Sequence, residues 1–531
     1  MDGIDPDVYR RRWATLGVLC LSLLIIMVGN TALNVALPTL SRDLPATNSQ
    51  LQWMVDAYSL VFAGLLFTAG TLGDRYGRKG ILQAGLVLFG LATLYAATLA
   101  DTAGQLIGAR IVMGAAGAMV MPATLSILTN VFPRRERAKA VAIWAGISGA
   151  GTAIGPLLTG FVLEHFAWNA VFAVNLPFII AAVGLGMFLV PRSRGEHESR
   201  LDLVGALLSA VGLSTVVYAI IEGPVHGWLS PVTLGVGVAG LAVIALFVWW
   251  ELRIENPMLD VRLFKVPAFG ISSLALTLVF FALMGMFFSM SLLLQLVWGY
   301  SPLESAVRML PVSVFIVLVA PRSASLAERY GKRRVVAGGM GLVSGGVLTL
   351  ALVGSEPSYL LLLVGIAVMA SGMGLAMAPT TDLLMSSVPR EKAGMGSAMN
   401  DTTRELGGSL GVAVFGSLLA SRYAHSLAPS LEALPQAARD VAEGSLGGAL
   451  TVAGSTDGAG APFVDAAKDA WMSGFRLSII VGAAIVALVG VMAYRFLPDE
   501  AADMDTIPPD GELDDEDLVL DTVSGVAPAM D

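Results

Sequence analysis

Two short charged segments constrain the fold of this chain more than any other feature. Gly73-Asp74-Arg75-Tyr76-Gly77-Arg78-Lys79 joins two long apolar runs, and its pattern returns 254 residues later as Ala327-Glu328-Arg329-Tyr330-Gly331-Lys332-Arg333. Both keep the order small, acid, Arg, Tyr, Gly, base, base. A second correspondence runs at offsets of 255 to 257: Met119-Val120-Met121-Pro122 and Pro133-Arg134-Arg135-Glu136-Arg137-Ala138 parallel Met377-Ala378-Pro379 and Pro389-Arg390-Glu391-Lys392-Ala393. A chain that carries the same loop signatures twice, in the same sense, is built from two related halves.

Between these loops the chain is apolar. Of its 531 residues 55% are hydrophobic and 14% charged, and the mean hydropathy is +0.74. No single soluble core hides that much apolar surface. Runs of about 18 or more apolar residues recur, each able to cross the hydrocarbon layer. The 59 glycines, with many Ala and Ser, suit close helix packing in lipid. The class is an all-α polytopic membrane protein. The single cysteine, Cys20, excludes a disulfide framework. The basic stretch Arg10, Arg11, Arg12 leads into a run too long for a signal-peptide core, so it opens the first span.

Apolar runs and polar breaks predict fourteen spans, at 14–38, 52–72, 80–99, 104–128, 138–163, 169–190, 203–221, 232–251, 269–296, 307–326, 335–354, 357–386, 393–420 and 475–497. With the N-terminus inside, the inner connections hold 22 basic residues and the outer side five: Arg42, Arg308, Arg422, Arg439 and Lys468. That asymmetry places both termini in the cytoplasm. The expected organisation is a cytoplasmic N-terminus (1–13), an N-terminal six-helix bundle (14–190), two inserted helices (203–251) and a C-terminal six-helix bundle (269–497). Residues 421–474 form a long outer connection, with room for an amphipathic helix around 431–445 or for no structure at all. Residues 498–531 hold twelve acids and no Lys or Arg, so the net charge of −9 belongs to this tail. A solvated extension is expected there.

These residues resemble the major facilitator superfamily, specifically its fourteen-span drug:proton antiporter branch of multidrug and quaternary-ammonium efflux type. The resemblance covers about residues 14–497. Gly73, Asp74, Arg75, Gly77, Arg78 and Lys79 match its loop signature G-D-R-x-G-R-K, and Arg110 with Gly114 its fourth-span signature. Gly151, Gly155, Pro156 and Gly160 match its antiporter motif, with Thr159 where the pattern has Gly. Asn34-Val35-Ala36-Leu37-Pro38, Trp53-Met54-Val55-Asp56-Ala57-Tyr58 and Asn400-Asp401-Thr402-Thr403-Arg404-Glu405-Leu406-Gly407-Gly408 resemble signatures of this branch. One departure stands out: Gly29 occupies a position where relatives often carry Asp. The resemblance implies two six-helix bundles plus two helices and a bacterial plasma membrane. It implies proton-coupled export of amphipathic, lipophilic and cationic compounds, with the proton gradient as energy source and no cofactor.

Charges at membrane depth are costly and mark function. Asp56, beside Gln52, Trp53 and Tyr58, is placed to take a proton from outside and release it when exposure changes; an interfacial Asp reaching water is the plainer reading. Asp401, Arg404 and Glu405 share one face of span 13, with Asp401 expected to exchange the proton and Glu405 to pair with Arg404. A static salt-bridge cluster is the alternative. Arg110 needs a partner on another helix, as a proton relay or a structural tie. Arg322 is expected to snorkel, and Asp382 to be a helix-end residue near the gate. The 73–79 loop is read as a gate that biases two conformations, and the span-5 glycines with Pro156 as a kinked face sealing against the other bundle. Trp53, Tyr58, Phe281 and Phe288 are the candidate substrate contacts, and Met and aromatic faces suit lipophilic cations. The span-9 aromatics would look the same facing lipid.

The expected function is a proton-coupled antiporter exporting drugs or toxic compounds, with a dedicated exporter of one antibiotic or lipid-like metabolite as the alternative. His165, His197, His226 and His425 are scattered, without a metal or nucleophile constellation. No phosphate loop of the G-x-x-x-x-G-K-[ST] type is present. An enzyme, an ATP-driven pump and a nucleic-acid partner are therefore not expected. The partners are small molecules, protons and lipids, and the chain is expected to be a monomer.

Overall fold

A computed structural model describes residues 6–44, 46–193, 202–254, 257–388, 393–432, 434–455 and 460–499. The acidic tail beyond Asp499, and Arg390 and Lys392 of the second loop signature, lie outside the described residues.

The N-terminal set comprises α1 (Pro6–Asp43), α2 (Asn48–Tyr76), α3 (Arg78–Thr98), α4 (Ala103–Val131), α5 (Arg134–His165), the short α6 (Ala170–Ala173) and α7 (Leu176–Leu189). The inserted pair is α8 (Leu203–His226) and α9 (Pro231–Glu251). The C-terminal set comprises α10 (Pro267–Leu292), α11 (Pro302–Met309), α12 (Pro311–Tyr330), α13 (Lys332–Leu350), α14 (Tyr359–Ser386), α15 (Ala393–Leu431), α16 (Gln436–Gly444), α17 (Leu446–Ser455) and α18 (Gly460–Phe496). Capping boxes start α2 (Thr47 with Gln50), α4 (Thr102 with Gln105) and α11 (Ser301 with Glu304), satisfying amides that the helix itself leaves free.

Twelve helical segments among the described residues are long and apolar enough to cross a membrane. Two more long helices, α13 and α15, pack among them. α13 opens on Lys332-Arg333-Arg334, and α15 carries Asp401, Arg404 and Glu405, so charge lowers the hydropathy of both.

α1 packs on α5, α2 on α4 and α3 on α4; in the C-terminal set α10 packs on α15, α12 on α14 and α13 on α14. The backbones approach closely where small residues allow it. A Cβ at Gly407 or Gly411 of α15 would overlap the carbonyls of Thr277 and Phe281 on α10. α8 lies against both α2 and α15, with Gly64 facing Ala210.

The long outer connection is largely helical. α15 continues to Leu431, α16 falls in the expected amphipathic stretch, and α18 begins at Gly460 rather than 475. The reason is burial: Tyr423 donates to the carbonyl of Ala442 at 2.9 Å, and Trp471 stacks on Phe475 with centroids 5.4 Å apart. Both Tyr423 and Trp471 are buried.

Candidate functional site

The two repeated loops adopt related conformations. Gly77 (φ 114°) and Gly331 (φ 86°) link consecutive helices in the region that disfavours side chains. Arg78 Nε donates to Asp74 Oδ1 at 2.8 Å, and Lys79 Nζ to the carbonyl of Met187 at 2.7 Å. In the second loop Lys332 Nζ bonds Asp382 Oδ2 at 2.6 Å, and Asp499 accepts from the amide of Arg333 at 3.1 Å. Asp499 thus places an acid at the N-terminus of α13, where it complements the helix dipole. Asp382 is, as expected, a helix-end residue. Every one of these contacts stays within its own set. Arg322 is exposed and donates to the carbonyl of Leu318.

The described polar contacts between the N- and C-terminal sets lie away from the loop end. Ser301 donates to Glu164, joining α11 to α5. Gln295 Nε2 bonds the carbonyl of Val35 at 3.0 Å, Ser417 bonds Gln52 at 3.0 Å, and Ser41 meets Ser445 at 3.2 Å. Gly160 lets α5 approach α11; a Cβ there would stand 2.8 Å from Leu303 Cα. Toward the loop end, a Cβ at Gly146 or Gly149 of α5 would meet open space. The described hydrogen bonds that pin the two sets together thus gather toward the end away from the loops.

Midway between these ends, α1, α2, α4 and α15 bring polar groups together. Asp56 is fully buried, and neither carboxylate oxygen has a hydrogen-bond partner. Its polar neighbour is Ser409 of α15, whose hydroxyl is also unpartnered. Glu405 accepts from Asn30 Nδ2 of α1 at 3.3 Å and interacts with Ser59 of α2. Asp401 and Glu405 are half-buried.

One expected pairing is corrected. Glu405 does not pair with Arg404, whose guanidinium lies over the Phe280 ring at 5.4 Å; neighbouring residues on a helix diverge and cannot face one partner together. Asp401, three residues back, is the acid within electrostatic reach of Arg404. Arg110 has no ion pair among the described residues. Its Nε bonds the carbonyl of Met54 and its Nη1 that of Gly29, each at 2.9 Å, and it lies 4.3 Å from the Tyr58 ring centroid. The expected partner on another helix is thus found in backbone carbonyls of α1 and α2 with an aromatic face beside them, in keeping with a structural tie.

Gly29 is explained by the same packing. A Cβ there would stand 2.8 Å from Cζ of Phe89, so the ring of α3 occupies the place of the acid. In α5, Gly151 packs on Met27 and Gly155 on Thr31 and Val28, all on α1. Of Gly151, Gly155 and Gly160, Gly160 alone meets the other set, which corrects the reading of the whole face as a seal between bundles. Pro156 lies within α5.

The four candidate substrate contacts are packing residues in this conformation. Trp53 donates to Glu222 of α8 at 3.2 Å, and Tyr58 stacks on Phe62 at 5.7 Å. Phe281 meets Phe415 edge-on at 5.5 Å, and Phe288 is fully buried. Trp53, Tyr58 and Phe281 pack against neighbouring side chains, and Trp53 keeps part of its surface exposed. Asn30, Ser59, Ser409 and Gln295 were not singled out from sequence, although each is a polar residue inside an apolar run, which is the signal that marks them.

Two helical sets with repeated loops, joined by polar contacts across their interface, define a multi-pass membrane transporter. The chain belongs to the Major Facilitator Superfamily, whose model matches residues 19–412. It is 36% identical over 492 residues to the multidrug efflux pump LfrA of Mycolicibacterium smegmatis, covering 91% of this chain and 97% of that protein. It is 34% identical over 493 residues to the methyl viologen resistance protein SmvA of Salmonella typhimurium, covering 91% of this chain and 97% of that one. Among solved structures, a bacterial homologue of the human lysosomal transporter Spinster, inward-facing and unoccupied, superposes with TM-score 0.66 at 18% identity, covering 94% of this chain and 100% of that chain. At that identity the likeness concerns the fold.

Proposed function

We propose that this protein is a proton-coupled antiporter that exports amphipathic, lipophilic or cationic compounds across a bacterial plasma membrane by alternating access. In this reading it has fourteen spans, two six-helix bundles with α8 and α9 inserted between them, and both termini in the cytoplasm. Relatives named for multidrug efflux and methyl viologen resistance support the substrate class, and the excess of basic residues on the loop side supports the orientation. The loops then lie at the cytoplasmic end, and the described hydrogen bonds of the latch between the sets lie toward the outside.

The observation that carries proton coupling is the placement of two carboxylates on the interface that must separate. Asp56 is fully buried beside Ser409 of the opposite set, and Glu405 is held by Asn30 across the same seam. An unpaired charge in such a place is costly, and a proton removes it. Asp56 is assigned the exchanged proton in the N-terminal set, and Asp401 or Glu405 the second. Arg110 positions α1 and α2, and Arg404 balances Asp401. The 73–79 loop sets the balance between the two conformations rather than touching substrate.

Ethidium efflux from proteoliposomes, with and without an imposed pH gradient, tests this reading. Export should stop when the gradient is removed and in Asp56→Asn, with the variant folded. Gradient-independent export by the wild type would sink the coupling. If neither ethidium nor neutral dyes move, a dedicated exporter of one product takes its place.

A further inference from the structure

At the end away from the repeated loops, α15, α18 and the α13–α14 connection border an open cavity of about 510 Å³ that has no part in the interface described above. Its polar wall is built from Arg422 of α15, Asp469, Ser473 and Arg476 of α18, and Ser355 of the connection. The connection is held in place by Trp298, whose indole donates to the carbonyl of Gly354 at 3.1 Å. Arg422 Nε donates to Ser473 Oγ at 3.0 Å, which fixes the plane of the guanidinium and leaves its terminal nitrogens free of described protein partners. Arg476 has neither an ion pair nor a hydrogen bond among the described residues. Two guanidiniums and one carboxylate leave the cavity one positive charge in excess.

Arg476 is also oddly placed for a solvated arginine. Below it α18 exposes Leu477, then Ile480 (50%), Leu488 (63%) and Val491 (65%), an apolar stripe at helical spacing that continues to the loop end. An arginine at the head of a lipid-facing stripe is expensive unless an anion meets it. Guanidinium forks match phosphate oxygens in geometry as well as charge. The cavity is therefore cationic at its head and opens onto a hydrocarbon-facing groove, and its volume falls in the range of ligand pockets, about 300–1,000 Å³.

We propose that this cavity holds the headgroup of a monoanionic phospholipid. Arg422 and Arg476 take the phosphodiester, and one acyl chain lies along Leu477 and Ile480. A headgroup there would tie α15, which carries Asp401 and Glu405, to α18 and to the α13–α14 connection.

Native mass spectrometry of the full-length protein in nonionic micelles, titrated with phosphatidylglycerol, measures the retained lipid. Each arginine removed should weaken retention about fivefold, so R422Q/R476Q should lose roughly 25-fold. Asp469→Asn, which removes the competing acid, should strengthen it. Melting curves without lipid establish that the variants fold; should the double variant fail to fold, Asp469→Asn decides, and unchanged retention there overturns the proposal. Unchanged retention in a folded R422Q/R476Q overturns it as well. Phosphatidylethanolamine retained as tightly as phosphatidylglycerol would overturn the preference for an anionic lipid. Inorganic phosphate stabilising the wild type as strongly as the lipid, and losing that effect in the double variant, would assign the site to a soluble anion instead.

Discussion

Substitution at Gly29 separates two explanations for the missing acid of the first helix, steric exclusion and chemical preference. The Cβ of an alanine at 29 would stand 2.8 Å from Phe89 Cζ, well inside the optimal separation of about 3.5–4.0 Å for two carbons. Phe89 is 1% exposed, so the ring cannot swing into solvent and must displace its neighbours. Overpacking of this kind costs about 1–3 kcal/mol, and Gly29→Ala should lose that much stability. Phe89→Leu alone should cost on the order of 1 kcal/mol. In the double variant the shortened side chain makes room for the methyl group, so the two costs should not add. The cycle should show favourable coupling of about 0.5–3 kcal/mol. Thermal unfolding of the purified protein in mild detergent, with all four proteins in one micelle, gives the numbers. Once room exists, Gly29→Asp in the Phe89→Leu background places a carboxylate on the residue whose carbonyl already holds Arg110 Nη1 at 2.9 Å. That variant should transport dications better than the wild type, relative to monocations. If Gly29→Ala melts with the wild type, or if its cost simply adds to that of Phe89→Leu, the ring does not exclude the acid and the explanation fails.

Three further outcomes follow from the same contacts. Arg110→Lys keeps the charge but cannot reach the Met54 and Gly29 carbonyls together, so it should lower stability by about 2–3 kcal/mol; unfolding measurements showing wild-type stability would refute the carbonyl tie. Gly331→Ala should destabilise, because the position needs positive φ and the new methyl would also overlap the Asp499 carboxylate; Asp499→Ala should recover part of the loss in melting temperature. Glu164→Leu removes the Ser301 latch, an exposed contact worth up to about 1 kcal/mol, and so should shift the closed-to-open ratio at that end about fivefold. Distances between spin labels at Phe166 and Val307, both exposed, would report it, and an unchanged distribution would remove Glu164 from the gate.

The features legible in sequence were those where one residue dictates the answer by itself. Glycines in the two repeated loops need no partner to announce a turn, and both take positive φ. Long apolar runs announce helices because nothing else satisfies the backbone in lipid. What failed were statements about partners. Arg404 and Glu405 look like a pair when read along the chain, yet the helical turn sends one to Phe280 and the other to Asn30. Arg110 called for a partner on another helix and has two, but they are backbone carbonyls, which a sequence does not display. The 421–474 segment read as a connection because its Ala, Gly and Ser carry little hydropathy, while its folding rests on a few large residues such as Tyr423 and Trp471 that only tertiary packing buries.

The placement of the carboxylates also bears on how a proton could drive the proposed cycle. The repeated loops hold their described ion pairs within one set each in this conformation. Asp56 and Glu405 differ: their polar neighbours Ser409 and Asn30 belong to the opposite set, so the interactions cannot survive separation of the halves unchanged. A charge that loses its neighbours must find water or a proton, and the alternative with the lower cost depends on which end is open. Coupling of this kind needs no long-range signal, because the titrating groups sit on the moving surface itself. It also accounts for the restraint on Arg110, which is pinned to backbone of its own set and cannot follow Glu405 across the seam. A mobile cation there would neutralise Glu405 in both states and remove the difference that binding a proton exploits.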